Sequence, residues 1–240
     1  MELDIEFTKH QEKFQKVLEI LKSKEKKFII VDGVISAGKT TLIKLLEKSI
    51  NNQDKVKVKA IYEPVDLWNS TGTLKYFYED IPNNCYEFQT YTYITRIASV
   101  INDIYANQDA DVYILERSIW TDRYIFMELL RDLVGELRMT MYEQWCNLWA
   151  YIMPMRVDKW VLLDTSLEES LRRIKIRNRS AEDGISVEYQ TNLYNKHIEF
   201  YDKLKNAGKP VVIVNNNLMD ANFINDENVL NNIVGQIMTF

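Results

Sequence analysis

Between the apolar run Phe28-Ile29-Ile30-Val31 and a helical pattern starting near Thr41, the chain carries Gly33-Val34-Ile35-Ser36-Ala37-Gly38-Lys39-Thr40. The spacing Gly-x4-Gly-Lys-Thr lets consecutive backbone N–H groups turn inward around an anion, with a lysine and a hydroxyl at the far end. A plain strand-to-helix turn needs neither both glycines nor the lysine and hydroxyl. Strand, loop and helix in this order therefore constrain the fold to α/β layering and the ligand to a nucleoside triphosphate. Lys39 is placed for the β and γ phosphates and Thr40 for Mg²⁺, while Thr41 opens the helix.

A length of 240 residues with 46% hydrophobic content can bury one substantial core, and nothing in the composition marks a second domain. A net charge of −5 and a pI near 5.3 argue against a nucleic-acid or membrane-surface partner. Cys85 and Cys146 lie far apart without a CxxC pattern, so neither a disulfide scaffold nor a zinc site is expected, and the reducing cytoplasm fits best. The first 26 residues lack both arginine and a long apolar run, against a secretory or mitochondrial leader. Phe14, Val17, Leu18 and Leu21 instead predict an amphipathic helical extension over about 8–23. With only His10 and His197 available, carboxylates are the expected acid–base groups.

Short β-branched runs recur between helical patterns at Lys27–Val31, Val56–Tyr62, Asp111–Leu115, Trp160–Leu163 and Pro210–Val214. They predict a five-stranded parallel sheet flanked by helices, a three-layer α/β sandwich with its ligands at the C-terminal strand ends. Those ends carry the glycine-rich loop, Glu63-Pro64-Val65, Glu116-Arg117-Ser118 and Asp164-Thr165-Ser166. The last reads as a helix cap. Glu63, held extended by Pro64, is placed to accept a proton from a substrate hydroxyl. Glu116 suits hydrated Mg²⁺ and Arg117 the oxygens near a transfer. By spacing alone, Glu63 reads equally as a solvated strand-end residue and Glu116-Arg117 as a helix-capping ion pair.

A long helix is predicted over 84–107, with Ile94, Ile97, Ala98, Ile101 and Ile104 as its apolar side. Gln89, Thr92, Tyr93 and Arg96 fall on one polar stripe, either a solvated face or a surface that reads a nucleobase through the Gln89 amide. Arg172, Arg173, Lys175, Arg177 and Arg179 form a cationic run, which reads as a charged solvent face or as a lid over phosphates, about 172–184.

Five segments together resemble the deoxynucleoside kinase family, most nearly its deoxycytidine and deoxyguanosine kinase branch. They are GVISAGKTT at 33–41, EPVDLW at 63–68, YEFQTYTYITRI at 86–97, ERSIWTDRYIF at 116–126 and IRNRSAEDGI at 176–185. The resemblance spans about 26–202 and implies a P-loop nucleoside kinase using ATP or another nucleoside triphosphate. It implies Glu63 as the base for the 5′-hydroxyl, Arg117 as its partner at the transferring charge, and Lys39 at the phosphates. Thr40 and Glu116 would hold Mg²⁺. Gln89 would read the base inside a pocket of Val65, Trp68, Leu74, Phe77, Phe88 and Phe126, and Tyr78 and Glu182 would hold the 3′-hydroxyl. Arg173, Arg177 and Arg179 match lid arginines. Val34 stands where the family usually has Asn, and Phe77 and Thr92 are also less typical. Arg96 and Asp122 match the branch that accepts dC, dA or dG rather than dT. An acidic acceptor favours an exocyclic amino group, and the guanidinium crowds the space a thymine methyl needs.

The resemblance further implies a homodimer, for which Tyr142, Trp145, Leu148, Trp149 and Ile152 supply a surface or, equally, a stretch of monomer core. Two other readings share these motifs. A nucleoside monophosphate kinase needs an extra cationic clamp for the acceptor phosphate and no strong base at Glu63. A non-catalytic accessory protein of this fold has no use for Lys39, Glu63 and Glu116-Arg117.

Overall fold

The structure, a computed structural model, describes residues 2–52, 56–177, 185–217 and 223–240. The chain runs α1 (Glu2–Lys22), β1 (Lys27–Asp32), α2 (Lys39–Asn51), β2 (Val58–Ile61), α3 (Val65–Ser70), α4 (Thr73–Glu79), α5 (Ile81–Ala106) and β3 (Val112–Glu116). After α6 (Ile119–Thr121) and a π-helical turn at Asp122–Met127 come α7 (Arg131–Val134), α8 (Glu136–Ile152), β4 (Lys159–Asp164), α9 (Leu167–Arg177), α10 (Val187–Asn206), β5 (Val211–Asn215) and α11 (Glu227–Met238).

All five strands pair in parallel, as expected; their order is β2-β3-β1-β4-β5, which puts β1 at the centre. Parallel neighbours need crossover connections, and these helices cover both faces. Alternation along β1 divides the core: Phe28 and Ile30 point to the side of α1, α5, α8 and α10, whereas Ile29 and Val31 point to that of α2 and α11. Register then brings Val31 opposite Glu116 and Val161, so Gly33, Arg117 and Thr165 leave the sheet at one edge.

α5 forms as predicted but buries a different face. Ile97 and Ile104 are in the core, Ile101 is half-buried, and Ile94 and Ala98 are exposed. The stripe Gln89, Thr92, Tyr93 and Arg96 is buried. Periodicity cannot foresee this reversal, because the polar side of α5 is covered by strand ends that carry their own charges. α1 starts at Glu2, ahead of the extension expected over about 8–23; Val17 and Leu21 are buried, Phe14 and Leu18 half-buried, and the helix packs on α5. Within α8, Tyr142 joins the core, Trp149 is half-buried, and Trp145, Leu148 and Ile152 are exposed. None of the described helices is long and apolar enough to cross a membrane.

Gly33 ties the loop to the sheet. Its φ is +150°, and a Cβ there would lie 2.7 Å from the Leu163 carbonyl oxygen of β4. Gly33→Ala must push the loop off the strand, so thermal melting should show a loss of roughly 1–3 kcal/mol, with ATP affinity in calorimetry reduced by about tenfold or more.

Candidate active site

The glycine-rich loop turns through positive φ at Gly33, Ser36 (60°) and Gly38 (97°). The Lys39 ammonium donates to the carbonyls of Gly33 (3.1 Å) and Val34 (2.9 Å). Burial pushes this lysine down to about 8; Arg117 adds to the effect, while Glu63, Glu116 and Asp32 oppose it. Val34 is buried in the core on the α2 side, which accounts for an apolar residue at that position. The rim is pinned from outside. Thr165 (3.2 Å), Arg173 (3.0 Å) and the Asn216 amide donate to the Ala37 carbonyl, and Ser170 (3.0 Å) and Gln190 (3.1 Å) donate to that of Ile35.

A network of buried charges stands beside the loop. Arg96 forks onto Asp122 at 2.7 and 3.0 Å, donates to Glu63 at 2.8 Å and reaches the Glu116 carbonyl at 3.1 Å. Arg117 contacts both Glu63 oxygens at 3.1 Å and the Gly33 carbonyl at 3.1 Å, from a left-handed backbone with φ 61°. Such strain clusters at functional positions. Asp122 opens the π-helical turn, a departure from α geometry of the kind that re-aims side chains. Burial would raise the Glu63 carboxyl, but Arg117, Arg96 and Lys39 outweigh it and hold the group at about 2. Glu116 goes the other way: burial and the neighbouring Glu63 carboxylate raise it, against Lys39. The Thr40 hydroxyl donates to Glu116 at 2.8 Å. A hydroxyl beside an under-compensated carboxylate is a hard-oxygen donor set that fits Mg²⁺, which keeps most of its waters and needs few protein ligands.

A cavity of about 880 Å³ runs from the loop past this network into a box of aromatic rings. Phe77 stacks on Phe88 at 4.5 Å, Trp68 meets Phe88 edge-on at 6.1 Å, and Tyr189 stands edge-on to Phe77 and Tyr78. Such a slot suits a flat ring. Val65, Leu74, Gln89, Thr92, Arg96, Asp122 and Phe126 also line it, as do Ile35, Ser36, Gly38, Lys39, Thr40, Thr41, Glu63, Glu116, Arg117, Arg173 and Arg177. Gly33, Val34 and Ala37 lie beneath the surface, where they shape the loop. Arg179 and Glu182 lie outside the described residues. Arg173, read as a phosphate-binding lid arginine, here donates to Ala37, Asn216 and Glu169.

The structure adds Tyr189, Asp32 and His197, which the sequence reading missed; of the Asn215-Asn216-Asn217 stretch, which the resemblance places at the donor base without matching individual residues, it brings Asn216 onto the Ala37 carbonyl of the loop. No local pattern marks Tyr189. Asp32 ends β1 directly before the loop, a position open to suspicion. His197 lies 165 residues from it, yet its ring meets Asp32.

A phosphate loop joined by buried carboxylates and arginines to an aromatic slot defines a P-loop phosphotransferase for a small ring-bearing acceptor. Residues 29–240 match the deoxynucleoside kinase family. The chain belongs to that family, whose members are ATP-dependent deoxynucleoside kinases. The probable deoxycytidine kinase of fowlpox virus is 29% identical over 219 residues, 89% of this chain and 88% of that one. Deoxycytidine kinase 2 of Gallus gallus is 30% identical over 70% of this chain and 71% of its own. The deoxyadenosine kinase of Dictyostelium discoideum is 32% identical over 81% and 74%.

The family resemblance assigns Lys39 to the phosphates as an ammonium, and that form declines as pH rises through about 8. In the free enzyme kcat/KM for ATP should therefore fall above that pH. Calorimetry in buffers of different ionisation enthalpy should detect proton uptake on ATP binding there, and a flat profile with no uptake would show that the ammonium does not titrate in this range.

Proposed function

We propose that the chain transfers the γ-phosphoryl group of MgATP to the 5′-hydroxyl of deoxycytidine, deoxyadenosine or deoxyguanosine in preference to thymidine, as a step of nucleotide salvage. The observation that carries this reading is Glu63, whose carboxylate is shared by Arg117 and Arg96 between the phosphate loop and the aromatic slot. Glu63 orients the 5′-hydroxyl and receives its proton. A carboxylate held at about 2 is a weak base, and phosphoryl transfer tolerates one, because the loose transition state leaves the nucleophile's proton in place until late. Arg117 bridges Glu63 to the loop carbonyl of Gly33, a position from which it stabilises the transferring charge. Lys39 holds the β and γ phosphates. Thr40 and Glu116 would hold Mg²⁺, which when bound would neutralise phosphate charge.

Gln89 reads the base edge while Asp122 accepts from an exocyclic amino group, and Arg96 crowds the place of a thymine methyl. The names of the fowlpox, Gallus and Dictyostelium relatives, two for deoxycytidine and one for deoxyadenosine, support this side of the choice. Tyr78, in contact with Tyr189, and Glu182 are assigned to the 3′-hydroxyl. Residues 172–184 are assigned to a lid over the donor phosphates, in a single domain spanning 1–240. Two copies are proposed to pair through the exposed Leu137, Met141, Trp145, Leu148 and Ile152 of α8, an apolar surface larger than scattered exposure explains. Free Cys85 and Cys146 support a cytoplasmic location.

Glu63→Gln should lower kcat on deoxycytidine by about 10²-fold or more with little change in ATP binding; near-wild-type turnover would remove the base role. The same assay with deoxynucleoside monophosphates as acceptors should give no transfer, since activity there would indicate a monophosphate kinase. Replacing Arg96 and Asp122 together by small apolar residues should raise thymidine kcat/KM relative to deoxycytidine. Because Arg96 also holds Glu63, kcat should fall on every substrate while the ratio shifts.

A further inference from the structure

His197 lies on the buried face of α10, outside the cavity, with a hydrogen-bond acceptor at each ring nitrogen. Nδ1 is 2.8 Å from the Leu193 carbonyl and Nε2 is 3.3 Å from an Asp32 carboxylate oxygen. A neutral imidazole carries one N–H and would aim its lone pair at the other acceptor; only the doubly protonated ring satisfies both. Asp32 is fully buried and also accepts from the Gly33 amide at 3.0 Å and the Thr121 hydroxyl at 2.6 Å. Arg117 is one cation near Asp32, with Nε 3.7 Å away, but that guanidinium is already shared with both Glu63 oxygens; the Lys39 ammonium also feels the Asp32 charge but is turned to the Gly33 and Val34 carbonyls. Nε of Arg117 has no hydrogen-bond partner among the described residues and is aligned by charge alone. Phe126 meets both the His197 ring, edge-on at 6.2 Å, and the Arg117 guanidinium, 4.7 Å from its ring.

We propose that His197 is a positioning residue for phosphoryl transfer: as an imidazolium it is the counter-ion of Asp32, which in turn sets the Gly33 amide and the Arg117 guanidinium at the mouth of the phosphate loop. This rests on the role assigned above to Arg117. The charged groups facing the His197–Asp32 pair are Arg117 from the turn after β3 and the Lys39 ammonium of α2, which feels the Asp32 charge; the neutral Thr121 hydroxyl of α6 donates to Asp32. Tyr201 of α10 is turned to the Val161 carbonyl instead. Asp32 is held at about 2, where burial, which raises it, is overcome by His197 first and Arg117 next.

The chain has two histidines, so His10→Gln leaves His197 as the remaining imidazole in ¹⁵N–¹H correlation spectra. In the folded enzyme both ring nitrogens should appear protonated, and introducing D32N should restore a neutral ring; a bare nitrogen beside an intact Asp32 would overturn the proposal. In kinetics, H197F should lower kcat by about 10²-fold with KM for ATP and deoxycytidine little changed. H197Q, which can still donate to Asp32, should recover part of that loss, and D32N with H197F should be no worse than D32N alone. Full kcat in H197F, or equal losses in H197F and H197Q that follow a fall in melting temperature, would reduce His197 to a packing role. Failure of the wild-type chain to phosphorylate any deoxynucleoside would instead overturn the function proposed above, with the spectra still reporting the His197–Asp32 pair.

Discussion

Arg96 and Arg117 share one carboxylate, Glu63, in the interior of the cleft, and the site is organised around that arrangement. Isolated charges in such a place would be too costly to keep, and removing one member of a buried pair typically costs about 3–5 kcal/mol because the survivor is left uncompensated. The network persists because Glu63, Arg96 and Arg117 each have more than one partner: Arg96 adds Asp122 and the Glu116 carbonyl, and Arg117 adds the Gly33 carbonyl. Fixed charges of this kind need no reorganisation when a phosphoryl group moves between donor and acceptor.

Sheet topology supplies the geometry. With β1 central and every strand parallel, the residues after β1, β2 and β3 converge on one edge although they lie tens of positions apart in the chain. α5 then crosses this edge with its polar face inward, bringing Gln89 and Arg96 to the charges from above. One side chain, Arg96, thus belongs to both halves of the chemistry. It pairs with Asp122, proposed for base choice, and with Glu63, proposed for proton transfer, so these two residues are physically coupled through one guanidinium.

Much of this is legible in the sequence alone. The loop pattern, the five β-branched runs and the strand-end placement of Glu63 and Glu116-Arg117 are local signals, and local signals survive folding when their residue types have few other uses. The polar stripe of α5 was legible as a stripe but not as a buried one, because periodicity reports that a helix has two faces and not what covers each. Ile94 and Ala98, exposed where an apolar side was expected, follow from the same ambiguity, as does the division of the α8 aromatics between core and surface. Asp32 and His197 were passed over because two lone residues 165 positions apart have no shared pattern.

By itself the sequence determined the family, the α/β frame and the pieces proposed for the chemistry: a glycine-rich loop with its lysine and hydroxyl, and carboxylates at strand ends. These depend on residue type and short-range spacing, which the covalent chain carries directly. Tertiary structure decided the partnerships. That Arg96 joins Asp122 to Glu63, that Arg117 bends back to the Gly33 carbonyl, and that a remote imidazole meets Asp32 all depend on strand order and helix orientation. Those are set by packing the whole core at once, and no segment of the chain holds them alone.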